Sequence, residues 1–447
     1  MDESAIAETA LRRVRELLDA GDVEGAKILI EDLLPADRAD VFEELELEEQ
    51  RSLLPTLDVE EAAEVLEEME DVDAAALAAQ LNSLDLARIL DEMEPDEAAD
   101  VLGDLDAAMS QAALARMVEA EEVRPLLVHP DESAGGLMTT AFLAFPETMT
   151  VRQALTAMRS GPIIEAPRLF VVDEGNHLVG AADLFLVLRS APDVRLVDLV
   201  DRGIVTVHVD DDQEAAARLM VRYDLAAVPV VDGENCLVGA ITADDLVDVL
   251  EEEATEDVQR LGGAEPLARS YRTIGVLATA WKRVGWLYIL FVAGTLSSSV
   301  MGLFEEQLEQ AVVLAFFVPL LIDTGGNAGS QTIATVVRAL ANGDITMHDG
   351  LMVVLHELRT SLALGVMLAV GAFLVGIVWA GTQVALAIAL SILGIVVWAA
   401  TLGAVLPLFA VRVGLDPALV SGPLLTTVVD ATGLLMYFSI ASAILGL

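Results

Sequence analysis

A single carboxylate interrupts the last apolar run of the chain. Residues 417 to 447 contain one acidic residue, Asp430, and no basic residue. A charged side chain is costly in hydrocarbon, so an acid in such a run is expected to serve an ion path. Four more residues share its helical face by i, i+3, i+4, i+7 spacing: Pro423, Thr426, Thr427 and Gly433. This face predicts a pore lining with Asp430 as metal ligand, although a packing seam around a protonated Asp430 fits the same pattern.

An earlier apolar run, residues 310–337, holds a second set of polar and small residues, between positions 319 and 331. Asp323 is its one acid, and Gly325, Gly326 and Asn327 follow it. At membrane depth such residues either break a helix, which frees carbonyl groups for an ion path, or allow close helix packing. All four are candidates for the pore lining.

The donors in these two runs are carboxylate, hydroxyl, amide and backbone carbonyl oxygens, without Cys or His. Oxygen donors favour a hard divalent cation over zinc or copper. A small number of them suits Mg²⁺, because this ion keeps several of its water molecules when bound. Residue types alone do not separate Mg²⁺ from Mn²⁺ or Co²⁺.

Four apolar stretches would place these donors in a membrane: residues 286–304, 310–337, 360–411 and 417–447. The third has 52 residues without Asp, Glu, Lys or Arg, which is too long for one span and predicts two helices joined near residues 380–383. Five spans follow. The basic residues that flank them are Lys282, Arg283, Arg338, Arg359 and Arg412. The positive-inside rule then places the amino-terminal part in the cytoplasm and the carboxyl terminus outside the cell.

The composition divides the chain in the same way. Its 447 residues carry 72 acidic and 25 basic side chains, a formal net charge of −47, yet 54% are hydrophobic. From Val284 onward the net charge is −6, so the preceding part holds −41. An acidic soluble half joined to an apolar half excludes an ordinary cytosolic enzyme, and the negative field disfavours nucleic acid and favours cations. A halophilic surface would account for part of this charge.

Residues 39 to 105 repeat with a step of 12 residues. One apolar set at this step is Leu45, Leu57, Met69, Leu81, Met93 and Leu105. Twelve residues accommodate one short helix and its turn, which predicts an all-α superhelix of stacked units. Acidic residues occupy the outward positions, and Asp96 and Asp100 lie side by side at i, i+4 spacing.

The middle of the chain contains two copies of a helix, strand, turn, strand, helix pattern, with first strands at residues 168–173 and 227–232. The pattern resembles a tandem pair of CBS domains, α/β modules that commonly sense ligands. In such modules a Gly-x-x-Thr-x-x-Asp run often holds a nucleotide. Only the second copy has it, as Gly239, Thr242 and Asp245, so the sequence leaves nucleotide binding open.

In this order, the superhelix, the CBS pair and the apolar spans resemble the MgtE family of magnesium channels along nearly the whole chain. The most specific marks are the Pro…Gly-Gly-Asn-x-Gly-x-Gln run of residues 319–331 and the run of residues 416–435. The resemblance implies a homodimeric, Mg²⁺-selective uptake channel of the cell membrane, in which Asp430 of both subunits holds hydrated Mg²⁺. It also implies cytosolic Mg²⁺ sites. Their carboxylates at matching positions would be Asp96, Asp100, Asp224, Asp245, Asp248, Glu253, Glu256, Asp257 and Asp416.

The expected fold class is a multidomain membrane protein with an all-α superhelical N domain, tandem α/β CBS domains and a five-helix transmembrane domain. The expected boundaries are 1–130 for the N domain, 137–199 and 200–256 for the CBS domains, 257–282 for a connecting helix and 283–447 for the transmembrane domain.

Clustered carboxylates supply a gate in physical terms. They repel one another when Mg²⁺ is scarce, and bound divalent ions neutralise and bridge them. We therefore expect high cytosolic Mg²⁺ to close the pore. Two positions depart from the family pattern: Gly422 stands where some members have Asn, and Asp323 where some have a small residue.

Two other classes of protein fit part of the sequence. One is a CBS-regulated transporter of another divalent cation such as Co²⁺ or Mn²⁺, which could be proton-coupled through Asp430. The other is an intramembrane metalloprotease, since CBS modules also accompany such enzymes. That enzyme needs His-Glu-x-x-His, and the run His356-Glu357-Leu358-Arg359-Thr360 lacks the second histidine.

Overall fold

The computed structural model describes residues 3–160, 168–267, 274–420 and 422–447. The chain forms two compact units. The first ends at Glu253, and the second comprises Ala254–Leu267 and Gly275–Leu447. The first unit holds the acidic part of the chain and the second holds its long apolar helices, so the division of the composition is also a division of the fold.

Short helices with a regular step build the first half of the first unit. Two helices, α1 (Glu3–Asp19) and α2 (Val23–Glu31), precede the repeat. The repeating helices are α3 (Pro35–Glu44), α4 (Leu47–Leu53), α5 (Val59–Glu67), α6 (Asp71–Ala78), α7 (Ser83–Leu90), α8 (Pro95–Asp104) and α9 (Ala107–Leu114), followed by α10 (Ala120–Val123). From α3 to α9 each helix begins 12 residues after the one before, which confirms the predicted helix and turn. The repeated apolar residues, such as Val41, Val65 and Leu77, form the core.

Acidic side chains tie the repeats together. Three carboxylates each accept a hydrogen bond from a backbone N–H group 27 residues further on, where a later helix begins. The pairs are Glu43 with Glu70 (2.9 Å), Glu67 with Glu94 (2.7 Å) and Asp91 with Val118 (2.8 Å). A helix N-terminus has unpaired N–H groups and a partial positive charge, so a carboxylate stabilises it. We call Glu43, Glu67 and Asp91 the capping carboxylates.

Two three-stranded sheets with flanking helices complete the first unit. In the first sheet, β1 (Ala144–Pro146) is parallel to β2 (Arg168–Val172), which is antiparallel to β3 (Leu178–Asp183). In the second, β4 (Val207–His208), β5 (Ala227–Val231) and β6 (Leu237–Thr242) repeat this order. The helices are α11 (Val151–Ser160), α12 (Leu184–Arg189), α13 (Gln213–Tyr223) and α14 (Asp245–Leu261), the last of which ends in the second unit. The predicted pair of α/β copies is confirmed.

Within the described residues, four helices of the second unit are long and apolar enough to cross a membrane. They are α15 (Val276–Leu303), α17 (Val318–Ala341), α18 (Gly350–Arg412) and α19 (Gly422–Leu445), with the short α16 (Glu305–Gln310) after α15. Helix α18 is interrupted at Gly381, where φ is 80° and ψ is 172°. Glycine adopts this left-handed φ at little cost. The break lies within residues 380–383, where the sequence predicts a junction.

Of the two possibilities that the Gly-rich stretch allowed, the structure has close packing, since α17 is continuous through it. One prediction about helix continuity differs from the structure. The connecting helix expected at 257–282 is helical only to Leu261 and again from Val276, and residues 262–267 are not helical. Gly263, with φ of 72°, ends the first part as a left-handed cap. Residues 268–273 lie outside the described residues.

Buried aromatic residues fix α19 in the core of the second unit. Tyr437 is fully buried, and its hydroxyl donates to the Leu314 carbonyl at 3.0 Å. Phe438 stacks on Phe304 with ring centroids 5.1 Å apart. Tyr437 lies two helical turns beyond Asp430, so these contacts also set the position of that carboxylate.

Candidate functional site

Asp430 lies near the middle of α19, and its side chain is partly buried. One turn earlier, the hydroxyls of Thr426 and Thr427 donate to the Pro423 carbonyl at 3.0 and 2.9 Å. A hydroxyl that donates in this way keeps lone pairs that a cation or its water can use. Gly433, by contrast, is buried, and Ile395 side-chain atoms lie 3.6 Å from where its Cβ would be. The face therefore offers one carboxylate and two hydroxyl oxygens.

The glycines of α17 serve close helix packing within the chain. A Cβ at Gly325 would lie 2.5 Å from Ile395 Cγ2, and a Cβ at Gly326 would lie 3.1 Å from Thr426 Cγ2. Both residues are buried. Helices α18 and α19 cover both glycines within one chain, and their place in the pore lining stays a prediction. What they contribute is the short distance between α17 and the threonines next to Asp430.

Asp323 and Asn327 lie on the opposite, exposed face of α17. Gln331 and Thr335 continue this face at i, i+4 spacing and are also exposed. Polar side chains and an acid in a membrane helix are costly against lipid. In a membrane, this stripe therefore calls for water or protein next to it.

A second group of candidate residues lies in the first unit, where acids of the superhelix meet acids of the second CBS copy. We call the following residues the acidic seam: Asp71, Asp96, Glu97, Asp100, Asp131 and Asp245. They come from α6, from α8, from the segment after the superhelix and from the first turn of α14. At its edge, burial followed by the charge of Asp248 raises the pKa of Glu68. Burial followed by the charge of Asp71 raises the pKa of Glu252.

Burial is the main cause of the raised pKa values in the seam. Burial and the nearby Asp245 raise the pKa of Asp96 to about 7. Burial followed by Asp96 and Asp100 raises the pKa of Glu97 to about 9, and burial followed by Asp71 raises the pKa of Asp100 to about 8. The charged groups that act most strongly on all three are other carboxylates. Desolvated, mutually repelling carboxylates are what a bound divalent cation stabilises.

Asp96 provides an independent sign that the seam fits a cation. Its side chain is 6% exposed, and its buried Oδ1 atom has no hydrogen-bond partner among the described residues. Leaving a buried acceptor unpaired is costly, so such an atom indicates a ligand. The oxygen-only donors around it match the preference of Mg²⁺.

The seam concentrates acidic side chains, but these side chains do not form the coordination shell of one metal ion. Within the described ranges, no three His, Cys, Asp or Glu side chains converge as ligands of one metal ion. An ion that keeps several waters can reach carboxylates through those waters. The arrangement therefore suits hydrated Mg²⁺ better than a metal held by direct ligands alone.

The structure separates the other carboxylates carried over from the family. Asp224 ends α13 in a left-handed conformation with φ of 50°. Glu253 accepts a hydrogen bond from the Gln213 amide at 3.1 Å. In the second unit, Glu256 and Asp416 both form ion pairs with Arg260. Of the nine carboxylates that the resemblance implies for cytosolic sites, the structure places Asp96, Asp100 and Asp245 together, with Asp248 at their edge.

Sequence reasoning missed three members of the seam: Asp71, Glu97 and Asp131. Asp71 and Glu97 occupy the first turns of α6 and α8, which are two repeats apart. The 12-residue step could have placed these helix starts on one side of the superhelix. Nothing local to Asp131 connects it with Asp100, because that proximity depends on how the segment after the superhelix folds back.

Three family descriptions match separate parts of the chain. The divalent cation transporter family MgtE matches residues 318–440, and the MgtE intracellular N domain matches residues 33–132. The CBS domain matches residues 134–189 and 196–252. These ranges cover the repeat superhelix, both α/β copies and helices α17 to α19.

The chain is also similar to whole proteins. Magnesium transporter MgtE of Thermus thermophilus is 42% identical over 328 residues, which is 72% of this chain and 72% of that protein. Magnesium transporter MgtE of Bacillus subtilis is 34% identical over 328 residues, 73% of this chain and 72% of that protein. Among solved structures, the cytosolic domain of the Mg²⁺ channel MgtE in complex with ATP covers 54% of this chain and 99% of its own, at 33% identity and a TM-score of 0.50.

Proposed function

This chain belongs to the MgtE family of divalent cation transporters, and we propose that it carries Mg²⁺ across the cell membrane along a path that includes Asp430. The observation that carries the proposal is the position of this carboxylate in α19, beside the Thr426 and Thr427 hydroxyls and within an otherwise uncharged helix. One carboxylate with hydroxyl oxygens attracts a divalent ion without stripping its waters. Inward movement needs no other energy source, since two charges crossing about 100 mV gain roughly 4.6 kcal/mol.

Uptake by proteoliposomes tests this proposal. We expect Asp430→Asn to reduce Mg²⁺ uptake to the level of empty liposomes, because the amide removes the charge and keeps the shape. The measurement is fluorescence of an Mg²⁺ indicator trapped inside the liposomes. Asp344→Asn is the matched control, since Asp344 is an exposed acid in the segment between α17 and α18.

Asp323→Asn sharpens the test, because it removes the acid of helix α17. Uptake by Asp430→Asn that equals the wild type would take Asp430 off the path. If Asp323→Asn alone abolished uptake, the path would follow the exposed face of α17 instead. Size-exclusion profiles and thermal midpoints check that each variant is folded.

We propose five spans, with α18 crossing twice through its break at Gly381, and a cytoplasmic amino terminus. A second copy of the chain is the proposed partner for the exposed stripe of Asp323, Asn327, Gln331 and Thr335. A homodimer would give these polar groups protein or water instead of lipid, and it would bring two copies of Asp430 to one path.

The acidic seam is the proposed sensor of cytosolic Mg²⁺. Bound ions would offset the repulsion between the superhelix and the second CBS copy and favour the closed pore. The seam has several carboxylates with raised pKa and an unpaired buried oxygen, so it gains more from a bound divalent ion than an exposed acidic surface does. Helix α14 begins at the seam with Asp245 and ends in the second unit, and it is the proposed connection to the pore.

Uptake assays also address nucleotide binding at the CBS pair and the choice of transported ion. The Thr242 hydroxyl donates to Asp245 at 2.8 Å, so a nucleotide at this run would compete with that hydrogen bond. Uptake of Mg²⁺, Mn²⁺, Co²⁺ and Ca²⁺ side by side, with and without a pH gradient, separates an Mg²⁺ channel from a proton-coupled transporter of another ion.

A further inference from the structure

Arg260 joins two carboxylates that are far apart in the sequence. Its Nη1 atom lies 2.6 Å from Asp416 Oδ2, although the two residues are 156 positions apart. Its Nη2 atom forms an ion pair with Glu256, one turn earlier in α14. The guanidinium thus bridges two carboxylates, one through each terminal nitrogen, and both contacts are charge-assisted.

The ion pair lies where the end of α14 meets the beginning of α19. The side chains of Arg260, Asp416 and Glu256 are 29%, 30% and 17% exposed, so water screens them only in part. Asp416 is held from its other side, because its Oδ1 accepts the backbone N–H of Ala418 at 2.7 Å. Asp416 therefore has a fixed orientation just before the helix that carries Asp430.

Further contacts hold the segment Ala254–Leu267 near the beginning of α19. A Cβ at Gly263 would lie 2.7 Å from Trp286 Cδ1 and 3.4 Å from Pro423 Cγ, so the backbone passes close to α15 and α19. The Leu261 carbonyl is 3.8 Å from the corresponding position at Gly422. The segment Ala254–Leu267 therefore packs against the first turn of α19, and Arg260 adds the charged contact.

We propose that Arg260 is a positioning residue whose guanidinium holds the segment Ala254–Leu267 against the start of α19. This cation of the chain itself contributes, beside bound Mg²⁺, to the stability of the closed pore. We call the contact the latch. This rests on the proposed function. Mg²⁺ would have to displace the guanidinium before it could bind Glu256 and Asp416 together. Arginine also stays protonated throughout the physiological pH range, so this contact does not weaken as pH changes.

The latch predicts a specific pattern in Mg²⁺ dependence. Arg260→Gln should raise the cytosolic Mg²⁺ concentration that halves the flux by about three- to tenfold, the range for a partly buried charged pair. Arg260→Lys should give an intermediate value, because it keeps the charge and loses the fork. Asp416→Asn should shift the midpoint in the same direction, and the double variant should add little to either change.

Arg283→Gln is the matched control, since it removes one exposed arginine from the same unit and should leave the midpoint unchanged. If Arg260→Gln lowered the midpoint while Asp416→Asn raised it, Asp416 would be an Mg²⁺ ligand with which Arg260 competes, and the latch would be wrong. An unchanged midpoint in Arg260→Gln would also overturn it.

Hydrogen exchange of the full-length protein in EDTA gives a readout that does not depend on transport. Arg260→Gln should speed exchange of the amides between residues 254 and 267, and Arg283→Gln should not. If the wild type carried no Mg²⁺, the proposed function would fail while this measurement still decided on the latch. Equal exchange in Arg260→Gln and the wild type would show that the other contacts hold the segment alone.

Discussion

Two sets of carboxylates in the same superhelix have opposite surroundings. The capping carboxylates Glu43, Glu67 and Asp91 each accept a backbone N–H group at a helix start. In the acidic seam, Asp96 keeps an unpaired buried oxygen, and its strongest charged neighbour is another acid. Both sets occur on the same 12-residue repeat. Acid content alone therefore does not distinguish the two sets, whereas an unpaired buried oxygen does.

The comparison also limits what the charge of −47 can mean. Part of it is structural, because each capping carboxylate holds the start of a helix three repeats further along the chain. Acids paired with the chain's own cations, as at Arg260, are already cancelled within this net charge. Among the described residues of the first unit, the strongly raised pKa values belong to carboxylates of the seam. A bound divalent cation would therefore offset the desolvation and mutual repulsion of these carboxylates most.

The largest expected effect comes from neutralising the seam. The double variant Asp96→Asn, Asp100→Asn should need more than about tenfold higher cytosolic Mg²⁺ to halve the flux, because two buried charges that the ion offsets are gone. Its flux at low Mg²⁺ should be at least that of the wild type. The measurement is Mg²⁺ flux in proteoliposomes against buffered Mg²⁺ on the side of the first unit.

The control is Glu43→Gln with Glu67→Gln, which changes the same number of acids in the same superhelix. This variant should keep the wild-type Mg²⁺ midpoint, because capping carboxylates already have backbone partners. If both double variants shifted the midpoint equally, the distinction between the two sets would be lost and only total charge would matter.

An intermediate effect is expected for pH. The folded seam keeps protons on Asp96, Glu97 and Asp100 up to pKa values of about 7, 9 and 8, whereas ordinary values are 3.8 for Asp and 4.5 for Glu. The folded state therefore binds more protons than the unfolded chain, and stability without metal should fall as pH rises from about 4 to 9. Thermal midpoints of the full-length protein in EDTA measure this.

Mg²⁺ should oppose that fall, and it should stabilise the protein more at pH 8 than at pH 6, since protons no longer compete for the carboxylates. The Asp96→Asn, Asp100→Asn variant should have a flatter pH profile. A thermal midpoint that rises steadily between pH 5 and 8 in EDTA would contradict the burial of unpaired acids.

The smallest effect is expected for one capping carboxylate. Glu67→Ala leaves the helix start at Glu94 without its acceptor, which costs about 1 kcal/mol. The thermal midpoint of the first unit should fall by about 2–4 °C, while its response to Mg²⁺ stays as in the wild type. Loss of the Mg²⁺ response in Glu67→Ala would assign this residue to the sensor instead.

Local periodicity explains which parts of the fold could be predicted. The 12-residue step gave the helix starts, and the long uncharged run gave the break at Gly381, because both patterns are contained in short stretches of sequence. For the Gly-rich stretch of α17, the sequence leaves a helix break and close packing both open. Its glycines fit against Ile395 and Thr426, and that packing cannot be read from α17 alone.

The candidate sites were only partly predictable for the same reason. Asp430 is evident from the sequence, since an isolated acid in an apolar run is unusual by itself. The seam joins α6, α8 and α14, and its member Asp131 carries no local signal. The pairing of Arg260 with Asp416 spans 156 residues and depends wholly on the tertiary fold.

The central claim is that this chain conducts Mg²⁺ and that Mg²⁺ on the side of the first unit closes it. Excised patches of giant liposomes test it directly, because the solution on each face can be exchanged separately. We predict an Mg²⁺ current that falls as Mg²⁺ rises on the face carrying the first unit and recovers when EDTA is added there. A current that ignores Mg²⁺ on that face, or no Mg²⁺ current at all, would contradict the account.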